Sequence, residues 1–308
     1  MSTPLRPSLL ALAALIATPV LFSSNAIIGR AAVGEIGPWT LAFLRWAVAL
    51  ALIAPFAWGA VARHRRAIAG HARLFLALGT LSIGVCGGGF YAALHLTTAT
   101  NGTILYTLSP LMIVLLERIF YRRPIAPREV AGMVVATVGA VAILTDGDLG
   151  RLAGLTLNLG DLLVIGCAAA FAGYSVLLRR GEVSVLPMLA VFSATALAGV
   201  AVLAPFAAVE VSLTGSFPSG ATAWAAILGV AVVSSILSFL AYQAAVQAYG
   251  PTVSGLTLYF LPVSGLALAM IFLGERPSLG VLVGALLVIL GIVVTTMPRG
   301  LLARLRRR

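Results

Sequence analysis

The chain has 308 residues, of which 61% are hydrophobic and only 9% charged, and its mean hydropathy is +1.09. A soluble core helix needs a polar face toward water, so this composition excludes an ordinary soluble domain. The net charge of +11 would suggest nucleic acid in a soluble protein, but its 20 basic residues are all Arg and mostly flank apolar runs, so a nucleic-acid partner is not expected.

Ten apolar runs follow one another, at about 8–29, 39–60, 74–95, 100–117, 127–145, 159–178, 187–209, 222–246, 252–273 and 279–297. Each approaches the roughly 20 residues that cover about 30 Å of hydrocarbon at 1.5 Å per residue. The longest polar stretches are 61–73, 118–129 and 146–158. The expected fold is an all-α integral membrane protein of ten transmembrane helices in a lipid bilayer. With the amino terminus in the cytoplasm, sixteen Arg fall on that side (Arg6; Arg63, Arg65, Arg66, Arg73; Arg118, Arg122, Arg123, Arg128; Arg179, Arg180; Arg299, Arg304, Arg306, Arg307, Arg308). Three (Arg30, Arg151, Arg276) fall on the other, and Arg45 lies inside the second run. This bias predicts that both termini are cytoplasmic. The expected location is the bacterial cytoplasmic (inner) membrane. Arg6, the first apolar run and Ser24-Asn25-Ala26 loosely imitate a signal peptide. Cleavage there would leave nine spans and contradict the arginines.

The runs read as five spans twice. Pro110 and Pro262 lie 152 residues apart, as do Gly132 and Gly284, and Gly139 and Gly291; Tyr91 and Tyr242 match at 151. The expected organisation is a first five-helix repeat over 1–146, a linker over 147–158, and a second repeat over 159–308 with a basic tail. An odd number of spans per repeat inserts the second half upside down. This inverted arrangement is common in secondary transporters, around a central cavity.

The first run carries Pro19 and Asn25. Pro19, Pro110 and Pro262 fall near mid-membrane and are candidate hinges, because proline frees a carbonyl that needs a partner inside the protein. Arg45 is costly in hydrocarbon unless paired or snorkelling. It is expected to pair with helix ends or Glu35, with direct substrate contact as the alternative. The third run has a small-residue patch, with Gly84 and Gly88 at GxxxG spacing for close packing, followed by Tyr91 and His95. The fourth offers Tyr106 and Ser109, the sixth Tyr174, the eighth Ser235, Ser238, Tyr242 and Gln243, and the ninth Tyr259. Together these outline a substrate cavity of hydroxyl, amide and aromatic groups. Asp161 and Glu117 stand near span ends, and His95 is the intramembrane group that titrates near neutrality. Facilitated movement down a gradient therefore fits better than strong proton coupling.

Cys86 and Cys167 lie within apolar runs, read as buried small thiols, and no Cys/His ligand spacing occurs, so neither a metal nor a cofactor is expected. No GxSxG, HExxH or Walker loop appears, and the chain is not expected to be an enzyme. Ten helices can enclose a pathway alone, which favours a monomer.

The pattern Asn25…Arg30…Pro38…Phe43-x-Arg45 resembles the start of EamA-type members of the drug/metabolite transporter superfamily. So does Leu273-Gly274-Glu275-Arg276-Pro277 followed by Gly284 and Gly291. The matching loop of the first half departs, with Tyr121-Arg122-Arg123-Pro124 in place of the usual Gly-Glu pair. The resemblance implies ten helices around a cavity walled by spans one, three, four, six, eight and nine. It also implies efflux of amino acids, aromatic or other neutral ones, by alternating access. A multidrug or other small-metabolite carrier is the alternative.

Overall fold

A computed structural model describes residues 9–29, 36–148, 150, 158–215, 217–273 and 277–296. Among these residues the regular structure is all helical: α1 (Leu9–Gly29), α2 (Pro38–Gly70), α3 (Ala72–Gly79), α4 (Phe90–Ala93), α5 (Ala99–Tyr106), α6 (Ser109–Tyr121), α7 (Pro127–Leu144), α8 (Leu159–Leu177), α9 (Gly181–Ser184), α10 (Met188–Thr214), α11 (Ala221–Gly229), α12 (Ser238–Leu256), α13 (Leu261–Leu273) and α14 (Leu279–Thr296). Several are continuous with their neighbours. Among the described residues eight helical stretches are long and apolar enough to cross a bilayer, and Leu9–Asn25 adds a shorter apolar helix. Large apolar side chains such as Phe56, Trp58, Ile271 and Phe272 stand exposed on the outside, as a lipid-facing surface requires.

Several departures from α geometry divide the stretches. A π-helical segment over Thr80–Gly89 joins α3 to α4, and another over Val230–Leu237 joins α11 to α12, beginning 150 residues later. The Ser82 hydroxyl donates to the Leu78 carbonyl and Ser235 to that of Val230, so side chains help to satisfy the backbone around these segments. Residues 107–108 interrupt α5 and α6, and a 3₁₀ turn over Thr257–Phe260 separates α12 from α13. Pro110 is thereby the second residue of α6 and Pro262 the second of α13. Both stand where a helix start leaves N–H groups unpaired anyway, so they begin new segments rather than kink a continuous one. Pro19 lies inside α1, where the neighbouring Thr18 hydroxyl returns a hydrogen bond to the Ala14 carbonyl at 2.7 Å. Gly250, with φ 81° and ψ 166°, breaks the 52-residue stretch Ala221–Phe272.

The stretch 61–73 does not stay outside the helices. α2 continues through Arg63, Arg65 and Arg66 to Gly70, and α3 restarts at Ala72. Alanine and arginine are strong helix formers, and cations suit a helix carboxyl end. At its other end, α2 begins on Pro38 and receives the Glu210 carboxylate of α10 on its Trp39 and Thr40 N–H groups, the latter at 2.7 Å. This satisfies helix-start donors that would otherwise be orphaned.

The packing joins the two halves. α2 lies along α10, α7 along α14, α1 against α12 and α13, and α8 against the first π segment, α5 and α6. Gly132 lies against Gly291, and Gly139 against Gly284 and Val288, so α7 and α14 run antiparallel at glycine-to-carbonyl distance. Trp39 stacks on Phe206 and Trp46 meets Phe192, so α2 and α10 are antiparallel too. A Cβ on Gly139 would sit 2.6 Å from the Gly284 carbonyl oxygen. Gly139→Ala is therefore expected to lower stability by about 1–3 kcal/mol. Gly59→Ala, where a Cβ meets nothing within 4 Å, should not. Thermal unfolding of the two variants in detergent checks the difference.

Candidate functional site

The bundle has two chemically different ends. At one, the α2–α3 turn (Gly70, His71, Arg73) meets Leu177, Arg180 and Glu182, and Arg122, Arg123 and Arg179 line a cleft with residues 246–253. This is the basic end. At the other, acidic groups fasten junctions: Asp161 accepts from Thr97 at 2.5 Å and from the Asn158 N–H, Asp146 accepts from Ser278, and Glu210 caps α2.

Between the ends lies an aromatic block. Phe22 packs edge-on to Phe239, Phe239 edge-on to Trp46, and Phe171 lies 5.1 Å from Tyr242. Tyr174 and Tyr242 are fully buried and stack at 6.3 Å. The polar atoms inside this block are few. Tyr242 and Ser175 share a hydrogen bond of 2.6 Å, and the Gln243 amide donates to the Tyr174 hydroxyl at 3.3 Å. The Gln243 carbonyl oxygen, the Ser109 hydroxyl and the Trp46 indole N–H are buried with no hydrogen-bond partner. Buried polar atoms of this kind are uncommon in proteins because each carries a desolvation cost.

Toward the opposite end, three predicted or flagged residues meet. Arg45 donates from Nη1 to the Tyr91 hydroxyl at 2.8 Å and to Asn25 Oδ1 at 3.2 Å. Tyr91 in turn donates to Asn25 Oδ1 at 3.0 Å. The guanidinium also lies 5.5 Å from the Trp46 ring and 5.7 Å from that of Tyr91. The triangle explains how a 6% exposed arginine survives inside an apolar helix: Asn25 and Tyr91 accept its protons, and two rings face its charge. The expected pairing with Glu35 lies outside the described residues, as do Arg30, Arg151, Glu275, Arg276, 151–157 of the linker and the basic tail from 297. Nearby, Ser24 shares a 3.0 Å hydrogen bond with Ser234, linking α1 to the second π segment.

The other sequence candidates are dispersed. Tyr106 packs on Phe90 and Phe171 at the edge of the block. Ser235 and Ser238 are fully buried and return their hydrogen bonds to their own helix, Ser238 to the Ser234 carbonyl. Tyr259 accepts from Thr137 of α7 at 3.0 Å and belongs to a separate core with Met133 and Val288. His95 follows α4 in an exposed turn. The two cysteines are free thiols, Cys167 buried and Cys86 half-buried; each donates to a backbone carbonyl of the other's helix, Cys86 to Cys167 and Cys167 to Val85.

One cluster escaped the sequence candidates. Glu117, 1% exposed near the end of α6, binds Arg179 Nη1 at 2.6 Å, accepts from Thr252 and lies 3.9 Å from Arg123. Arg123 also forms a two-pronged pair with Glu129 at 2.9 and 3.1 Å. A cleft of about 580 Å³ opens beside the cluster. The signal was present: an acidic residue at the end of an apolar run asks for a partner, and Arg179 stands just past the end of another run.

Bilayer-length apolar helices around a polar and aromatic interior define a multi-pass membrane transporter. The EamA-like transporter family is matched twice, over residues 9–145 and 158–297, and the chain belongs to that family. The Bacillus subtilis uncharacterized transporter YyaM is 26% identical over 224 residues, 72% of each chain. An uncharacterized transporter of Archaeoglobus fulgidus is 26% identical over 91% of this chain and 94% of its own. A solved crystal structure of 22% identity superposes with a TM-score of 0.77 over 97% of this chain and 99% of that one, which establishes the shared fold.

Tyr91→Phe removes the hydroxyl that both accepts from Arg45 and donates to Asn25. It should cost about 1–3 kcal/mol through the guanidinium left short of partners. Tyr91→Phe combined with Arg45→Met should cost less than the sum of the single changes. A double-mutant cycle by thermal unfolding measures that coupling.

Proposed function

We propose that this EamA-family protein exports neutral amino acids, aromatic ones among them, and related metabolites by alternating access without strong proton coupling. The carrying observation is the aromatic block with its unpartnered Gln243 carbonyl and the Tyr174, Ser175 and Tyr242 hydroxyls. An amide, hydroxyls and ring faces, with no fixed charge among them, suit a neutral zwitterion bearing an aromatic or apolar side chain. Within the family, the overall likeness to YddG, an exporter of aromatic amino acids, adds to this reading. Asn25, Tyr91, Tyr106, Ser109, Ser235 and Ser238 complete the proposed cavity wall. Tyr259 and His95 lie toward its margins, and Pro110 and Pro262, each opening a helical segment, are the hinges.

The proposed architecture is ten crossings in two inverted repeats, with both termini in the cytoplasm of a bacterial cell and no second copy needed. Ten is supported by the Gly250 break, because 52 residues at 1.5 Å each exceed twice the hydrocarbon thickness. Inversion is supported by two pairs of equivalent helices, α2 with α10 and α7 with α14, each antiparallel. Equivalent helices of repeats inserted in the same direction would be parallel.

Reporters fused after Gly70 and Gly215 test the topology; activity on the cytoplasmic side at the first and the outer side at the second is expected. Proteoliposomes loaded with labelled phenylalanine, threonine or methionine test the function. Efflux should occur without a proton gradient, and Tyr242→Phe or Gln243→Ala should reduce it about tenfold at equal protein level, a loss of roughly 1.4 kcal/mol. Absence of movement for all amino acids, with movement of cationic drugs, would instead support the multidrug alternative.

A further inference from the structure

We propose that the Glu117–Arg179 ion pair is a loading site for a zwitterion at the basic end. The substrate's ammonium would replace Arg179 on Glu117, and its carboxylate would take the guanidinium so released. This rests on the amino-acid reading above and adds a second site, outside the aromatic block, to it.

Four observations carry the inference. The pair lines an open cleft of about 580 Å³, within the roughly 300–1,000 Å³ of small-molecule sites. The two charges are unequally accessible: the Glu117 side chain is 2% exposed, that of Arg179 48%. Glu117 is held by Thr252 as well as by Arg179, with Arg123 at 3.9 Å, whereas the half-exposed Arg179 guanidinium bonds Glu117 while lying 5.0 Å from the Tyr121 ring. The carboxylate is therefore anchored from more than one side, and the guanidinium borders the cleft. Finally, the cluster joins α6, the turn after α8 and the chain just beyond Gly250.

Inserting a zwitterion leaves the net charge of the site unchanged. Every charge regains an opposite partner, which avoids the large cost of a buried unpaired ion. It also removes the direct ion pair between Glu117 of α6 and Arg179 just beyond α8, so loading would loosen the basic-end mouth on the way to the block.

Binding to the purified full-length protein in detergent tests this with phenylalanine, phenethylamine (ammonium alone) and phenylpropionate (carboxylate alone). Wild-type protein should bind phenylalanine at least tenfold more tightly than either analogue. Glu117→Gln should weaken phenylalanine and phenethylamine about tenfold and leave phenylpropionate unaffected, with Arg179→Gln giving the mirror pattern. If either variant fails to fold, Glu117→Asp and Arg179→Lys should show the same selective pattern in smaller measure. Equal weakening of all three probes, or none, overturns the loading site and makes the pair structural. Should phenylalanine still cross proteoliposomes in that case, the export reading survives its loss; if no amino acid binds or crosses even with wild type, the export reading fails first.

Discussion

Within hydrocarbon a backbone N–H or C=O has no water to turn to, and the rest of this molecule follows from that restriction. Helices satisfy it along most of the chain. Where helical geometry lapses, at the two π segments, the 107–108 interruption and the 3₁₀ turn, the lapse is turned inward and supported by neighbours. Thr107 returns its hydroxyl to Ile104, Thr257 to Ser254, and the two cysteines cross-bond the first π segment and α8. The irregular turns consequently gather around the middle of the bundle, where polar groups are also concentrated. A pathway for a polar solute needs such a place, and a lipid-facing helix surface cannot supply one.

The same restriction governs charge. Each deeply placed ionised group is held in a local arrangement that shares its cost. Arg45 uses an amide oxygen, a phenol and two ring faces; Glu117 uses two guanidinium groups and a hydroxyl; Asp161 closes a reciprocal cap with Asn158 and accepts from Thr97. Arginine is suited to the first two because its planar fork makes several directed bonds at once. The acidic and basic clusters lie toward opposite ends of the bundle, and the charge that reaches the aromatic block between them is the Arg45 guanidinium, 5.5 Å from the Trp46 ring.

Much of the architecture was legible in the residues. Hydropathy located the helices because span length is set by bilayer thickness, and the 152-residue spacing of Gly132 and Gly139 with Gly284 and Gly291 marked spans five and ten as equivalent, while their packing against each other is seen only in the structure. The carboxyl end of α2 was not legible, because Arg63, Arg65 and Arg66 interrupt an apolar pattern while remaining excellent helix formers. Nor was the role of the prolines: their ring fits a helix start as readily as a kink, and only the interruption at 107–108 and the turn at 257–260 distinguish the two.

Of the candidate site, Asn25, Tyr91, Tyr174, Tyr242 and Gln243 were visible as polar groups in apolar runs, a rarity that hydropathy alone exposes. Which of them meet depends on helix rotation and on contacts between residues far apart in the chain, such as Arg45 with Tyr91 or Ser175 with Tyr242. The Glu117 cluster, drawn from α6, the α6–α7 connection, the turn after α8 and the start of the segment after Gly250, left only a hint in the sequence, an acidic residue at the end of an apolar run, and its partners are set by packing. The sequence by itself determined that this chain lives in lipid, is helical and is duplicated, because those properties follow from the transfer cost of each residue and from internal likeness. Tertiary structure alone decided which buried polar groups became partners and which remained unpaired, because hydrogen bonding depends on distances that only packing sets.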